Sequence, residues 1–171
     1  MDVFQVGDHV VYGKKGVCRV AHVGYPTFSE YAPKKLYYTL IPLDTNETIY
    51  TPVEGKVFIR PAMDEQQALL VIDSIPMVEG QLHGVDAIGS KELPRYYGEL
   101  LQTHRTEDVV RLIITAYRRS QKALEDGRKI SQTDQDYLHT AEWALYGELA
   151  LALGIPRGDV ADFIKNRLEN R

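Results

Sequence analysis

Three groups of residues in this chain have the types and spacing to act on a partner. Arg111, Arg118 and Lys122 recur at intervals of seven and four, which places them on one stripe of a helix with Arg119 at its flank. The opposite face of that helix is apolar and must be buried. The stripe therefore projects from a packed scaffold, which suits contact with phosphates. It reads more readily as a solvated face paired to Glu107, Glu125 and Asp126. The second group is Lys91, Arg95, Tyr96 and Tyr97, where an arginine beside aromatic rings could grip phosphate and stack on unpaired bases. The competing reading packs Tyr96 and Tyr97 into a bundle with Arg95 reaching outward. The third is the run Glu47, Thr48, Ile49, Tyr50 and Thr51, a short strand of a small sheet. A strand at a sheet edge can pair with a strand of another protein. In a closed barrel no such edge exists.

The assemblies that catalysis needs are missing from the sequence. It contains no Gly-rich phosphate loop, no dinucleotide fingerprint and no Ser-centred nucleophile elbow. His9, His22, His83, His104 and His139 include no two at metal-ligand spacing, and the single cysteine, Cys18, cannot complete a zinc site. Cys18 lies in a strand and reads as a small core residue. The acidic pairs Asp134/Asp136 and Glu107/Asp108 fall at helix caps and exposed helix faces. The expectation is a non-enzymatic protein with no cofactor, no metal and no small-molecule substrate.

Composition agrees with an ordinary globular chain. Of 171 residues, 44% are hydrophobic and 26% charged, which excludes a disordered tail, a collagen-like chain and a coiled-coil rod. Twenty Lys and Arg against 24 Asp and Glu leave a net charge of −4, so bulk charge gives no argument for nucleic acid. One cysteine excludes an intramolecular disulfide. The opening MDVFQVGDHV has an early acid and no apolar stretch, unlike a signal peptide. Apolar runs such as Leu112–Ala116 are far shorter than the roughly 18 residues of a membrane span. A cytoplasmic protein that does not enter the membrane is expected.

The elements that must position these groups divide the chain in two. From Val6 to Ile59, β-branched and aromatic residues alternate with polar ones. The runs are His9–Tyr12, Val17–Val23, Leu36–Leu43, Glu47–Thr51 and Lys56–Ile59. Turns fall at Gly13–Gly16 and Asp44–Asn46, and a longer loop spans Gly24 to Pro33. Beyond Pro61 the period becomes helical. Asp64 and Gln67 form a capping box for a helix over Glu65–Asp73, and Pro76 to Gly89 reads as an irregular connection. Further helices are expected over Leu93–Thr103, from a Thr106 cap to Gly127, from Ser131 to Leu153, and from Pro156 to near Leu168. In the Ser131–Leu153 helix, Leu138, Ala141, Leu145, Leu149 and Ala152 form one apolar stripe, and Trp143, Gly147 and Ala150 another face. Two apolar faces predict a central helix with Trp143 in the core. The fold class is α+β, with a small β-barrel or sheet domain over 1–62 and a compact all-helical domain over 66–171.

The opening FQVGDHVVYGKKGVCRVAHV resembles the start of the CarD/CdnL family of bacterial transcription regulators. The matching positions are Phe4, Val6, Gly7, Asp8, Val10, Val11, Tyr12 and Gly16, followed by a strand ending in proline at Thr48–Pro52. Arg95-Tyr96, Tyr117-Arg118-Arg119 and Gly147-Glu148-Leu149-Ala150-Leu151-Ala152 resemble later family blocks in order. The resemblance implies a Tudor-like RNA-polymerase-interacting domain, shared with transcription-repair coupling factors, that pairs with the polymerase β subunit. It also implies a helical domain that contacts promoter DNA at the upstream fork and stabilises the open complex. The implied setting is the bacterial cytoplasm, with nucleoid association through polymerase.

On this resemblance Glu47, Thr48, Ile49, Tyr50 and Thr51 would bind polymerase. Lys91, Arg95, Tyr96, Tyr97, Arg118, Arg119 and Lys122 would contact DNA. The sequence departs from the family pattern in three places. Glu92 occupies the place of the family's wedging tryptophan, Tyr50 that of a polymerase-facing arginine, and Gln135-Asp136 that of a basic pair. From Gln66 onward, 13 basic residues face 16 acidic ones. Weak, backbone-only DNA contact is therefore expected. The alternative is a protein–protein adaptor on polymerase without productive DNA contact.

Overall fold

The computed structural model describes residues 3–27, 30–31 and 34–170. Part of the Gly24–Pro33 loop, residues 28, 29, 32 and 33, lies outside the described residues. The layout is α+β. Two compact units cover Met1–Ala62 and Met63–Arg171.

The first unit is one antiparallel sheet of β1 (His9–Tyr12), β2 (Gly16–Gly24), β3 (Tyr37–Pro42), β4 (Ile49–Pro52) and β5 (Ile59–Pro61). The strand order is β4-β3-β2-β1-β5, so β4 and β5 are its two edges and the sheet is open rather than a closed barrel. Alternation follows the pleat. Val10, Cys18, Val20, Tyr38 and Leu40 point inward and pack with Phe4, Tyr12, Val23, Ile49, Val53 and Ile59. The register slips between Val20 and His22, a bulge that bends β2 and curls the sheet. Inside that curl the Tyr12 hydroxyl on β1 donates to Thr51 Oγ1 on β4 at 3.0 Å. The Phe4 amide donates to the Tyr38 hydroxyl at 3.0 Å. Both bonds join inward side chains whose polar ends would otherwise be buried unpaired.

The second unit holds α1 (Glu65–Gly80), a 3₁₀ turn (Val85–Ala87), α2 (Leu93–Gln102), α3 (Thr106–Glu125), α4 (Gln132–Leu153), a second 3₁₀ turn (Arg157–Asp159) and α5 (Val160–Glu169). The capping box at α1 is present, with the Gln67 amide donating to Asp64 at 2.8 Å and the Asp64 amide to Gln67 Oε1 at 2.9 Å. The helix then runs past the expected end at Asp73, through Pro76, to Gly80. Interior proline costs about 3 kcal/mol. Ile72 and Val78 are fully buried on either side of it, and burying two such side chains offsets that cost. The Ser131 hydroxyl caps α4 through the Asp134 amide, and Gly154 ends it at φ +66°, a left-handed conformation open to glycine.

Helix α4 packs against α1, α2, α3 and α5, with Ala141, Leu145 and Leu149 buried. Its second apolar face does not form a core. Trp143 is 51% exposed, which overturns the expectation drawn from periodicity. The reason is Gly147, one turn on. Arg157 crosses the helix there, so that a Cβ on Gly147 would collide with its Nη2. The guanidinium carbon then lies 3.6 Å from the Trp143 ring centroid. A cation covers the ring where packing would need a hydrocarbon. No described helix is long and apolar enough to cross a membrane.

Candidate protein-docking edge and the helical cations

The run expected to bind polymerase straddles the start of β4. Glu47 and Thr48 lie in the loop before it, and Ile49, Tyr50 and Thr51 within it. Lys15 Nζ sits 2.9 Å from Glu47 Oε1, tying this loop to the β1–β2 turn. Thr51 is buried beneath Tyr12 and Ile49 is half-buried against the core, while Tyr50 is exposed.

Backbone pairing shows what the edge can offer. The Val53 amide donates to the Leu36 carbonyl at 2.9 Å, which makes 36/53 a hydrogen-bonded pair. The register aligns Tyr38 with Thr51, Thr39 with Tyr50, and Leu40 with Ile49. In an antiparallel ladder such pairs alternate, so Thr51 and Ile49 bond inward to β3. The N–H and C=O of Tyr50 then point away from the sheet, as does the C=O of Pro52, which has no N–H. The outward face of β4 is thus one donor and two acceptors centred on Tyr50.

The cations of the helical unit are mostly neutralised. Arg111 bonds Asp108 at 2.6 Å and Glu107 at 3.2 Å, and reaches Gln81. Arg118 pairs with Glu79 at 3.7 Å, Lys122 with Asp126 at 3.6 Å, and Arg95 with Glu99 at 3.0 Å. Lys91 makes no ion pair among the described residues. Glu92 folds back on the chain, with its Oε2 2.5 Å from where a Cβ on Gly89 would stand.

Two residues expected at DNA belong to the interior. Tyr97 is fully buried, and its hydroxyl donates to Asp134 Oδ1 at 2.5 Å. Burial and that carboxylate raise its pKa, so the phenol keeps its proton. Arg119 Nε donates to both Asp134 oxygens at 3.2 Å, and its Nη1 to the carbonyls of Val85 and Ile88 at 2.7 and 3.2 Å. A ring at zero exposure cannot stack on a base. An arginine already spent on a buried carboxylate and two carbonyls cannot take a phosphate without dismantling the bundle. Tyr97 and Arg119 are therefore structural, binding α2, α3, α4 and the first 3₁₀ turn together. Of the residues expected at DNA, Lys91, Arg95, Tyr96, Arg118 and Lys122 are exposed or half-buried.

Sequence reading missed this junction because Arg119 and Asp134 are fifteen residues apart with nothing periodic joining them. The Ser131 cap marked the helix start, and its third residue is the buried acid. Cys18 is fully buried, with its thiol pushed up to about 11 by burial and by nearby Glu47, so it is not a nucleophile at neutral pH. No group of three metal-ligating residues occurs among the described residues.

The first unit is thus a bulged five-stranded antiparallel sheet with β4 at one edge. Residues 4–63 match the family model described as CarD-like/TRCF RID domain. The match ends where the helical unit begins. A search of curated proteins finds no match.

Proposed function

We propose that the protein is a non-enzymatic transcription regulator that docks on the RNA polymerase β subunit by adding a partner strand to β4. The observation that carries this is the edge position of β4 in a sheet whose residues match a polymerase-interacting family model. The helical unit then rides on polymerase as an adaptor, a role supported by the ion pairs that occupy Arg95, Arg111, Arg118 and Lys122.

A second reading adds contact with upstream fork DNA and stabilisation of the open complex. It is supported by Lys91, Arg95 and half-buried Tyr96 grouped at the start of α2. The Arg95–Glu99 pair is 83% and 60% exposed, so it holds Arg95 weakly and a phosphate could displace the glutamate. Titrating the full chain against polymerase, with and without fork-junction promoter DNA, separates the two. An adaptor binds equally in both. A DNA-contacting regulator binds more tightly with DNA present, and loses that gain on Lys91→Glu with Arg95→Glu. Failure to bind polymerase in either form would overturn both readings.

A further inference from the structure

Helix α1 carries apolar side chains on two faces, and only one of them is covered. Ala68, Val71, Ile75 and Val78 pack inward. Leu70 and Met77 share the opposite face, about 10 Å apart along the axis, and are 65% and 60% exposed. Asp73 lies between them on that face, and its carboxylate accepts two bonds from Arg167 of α5, each 2.8 Å. Beside this pair opens a cleft of about 520 Å³ lined by Asp73, Phe163, Asn166, Arg167 and Asn170. Apolar anchors seven residues apart, next to a cleft with an aromatic wall, suit the apolar stripe of a foreign helix. The net charge around this face is negative. Helix α1 holds Glu65, Asp73 and Glu79 and no Lys, Arg or His. Along α5, Asp162, Asn166 and Glu169 recur at intervals of four and three, so two carboxylates border the cleft. Glu65, Asp162 and Glu169 make no ion pair among the described residues. Arg167 is neutralised by Asp73, and Lys165 falls on the other side of α5 from Phe163, Arg167 and Asn170.

We propose that the α1–α5 face docks a cationic amphipathic helix of a protein partner. Its apolar side chains would seat on Leu70, Met77 and Phe163, and its Lys or Arg side chains would meet Asp162 and Glu169. The inference depends neither on the β4 edge nor on promoter DNA. Nucleic acid fits poorly, because phosphates would face unpaired carboxylates. A second copy of this chain fits poorly too, since a two-fold contact sets the same acids against one another. The apolar anchors hold such a complex together, whereas the bordering carboxylates act on association rate and salt dependence.

The test is selection of a displayed library of random 16-residue peptides on the full chain, followed by kinetic binding of the selected peptides as synthetic probes. Selected sequences should be rich in Lys and Arg, with apolar residues at helical spacings of three or four and seven. Leu70→Ser and Met77→Ser should each weaken binding about tenfold and leave the melting temperature unchanged, because both side chains are exposed. Asp162→Lys with Glu169→Lys should slow association about tenfold and flatten its salt dependence. Lys165→Glu, on the far side of α5, should leave binding unchanged. The proposal is overturned if no cationic amphipathic sequences are enriched, or if the selected peptides bind the Leu70→Ser and Met77→Ser variants as tightly as the unaltered chain. A dimer in sedimentation that Leu70→Ser dissociates would assign the face to a second copy. Retention of a 20-nucleotide oligodeoxythymidine probe that Leu70→Ser abolishes would assign it to nucleic acid. Either result also overturns the proposal.

Discussion

Replacing Tyr50 by proline removes the single donor that β4 directs outward and takes no bond from the internal ladder, because Tyr50 sits in a pair whose amides face away from β3. Proline is tolerated on an edge strand when its nitrogen faces solvent, so the sheet should keep its fold. Against a partner strand the loss is twofold. The bond itself is worth about 0.5–1.5 kcal/mol, and the partner carbonyl left buried without a donor costs about 1–3 kcal/mol. A net of about 2–3 kcal/mol weakens binding about 30- to 150-fold. The correct baseline is Tyr50→Ala, which loses the ring and keeps the N–H. Equilibrium binding of the full chain to polymerase core enzyme gives the comparison, with thermal melting as the fold control. Equal affinities for the Pro and Ala variants, both folded, would falsify strand addition at β4. Ile49→Pro, the more obvious choice from sequence, is a poor probe. Its amide bonds inward to Leu40, so it breaks the sheet as well as any interface.

Arg119→Ala should strand Asp134 as a buried unpaired charge at a cost of about 3–5 kcal/mol, lowering the melting temperature by roughly 10–20 °C, and a change under 3 °C would contradict the network. Thr115 is fully buried and its hydroxyl has no hydrogen-bond partner, so Thr115→Val should stabilise by about 1 kcal/mol, read as a higher urea midpoint. Trp143→Ala should cost only about 1 kcal/mol, the order of an exposed cation–π contact, where a core tryptophan would cost about 3–5 kcal/mol; chemical denaturation distinguishes them. Because burial raises the Cys18 thiol from 9.0 to about 11, its contribution is fully present below pH 9 and lost as pH rises through 11. The β unit should lose stability over that window, and Cys18→Ala should flatten the loss.

Much of the fold was readable because it is written in local periods. Alternation marked the strands, and Asp64, Ser131 and Gly154 marked helix ends through capping chemistry that operates within four residues. The candidate site was legible in part. The strand at Tyr50 could be named from β-branched neighbours and a terminal proline, but its edge position depends on which strands it pairs with, a non-local fact. The cations show the opposite failure. Arg118 and Arg119 are adjacent in sequence, yet one faces Glu79 at the surface and the other enters the core to meet Asp134. Helical spacing fixes the angle between two side chains, not which of them meets a buried acid from another helix. Trp143 was misplaced for a related reason. Hydrophobicity said core, while a glycine one turn away admitted an arginine from a later turn.

The two open edges of the sheet also govern what the protein does not do. At β5, the Ala62 amide bonds the His9 carbonyl and the Gly13 amide bonds the Phe58 carbonyl, so Arg60 faces β1 while Ile59 and Pro61 face outward. Proline offers no donor, which leaves Ile59 as the one outward N–H of that strand. At β4 the corresponding lone donor is Tyr50, with Pro52 following. Two copies meeting edge to edge could form only a bond or two before a proline interrupts them. Runaway stacking into fibrils needs a repeating ladder of donors, and neither margin supplies one. An edge kept available for a foreign strand is thereby made unrewarding for copies of itself, so the protein should stay dispersed at concentrations where an unbroken edge would aggregate.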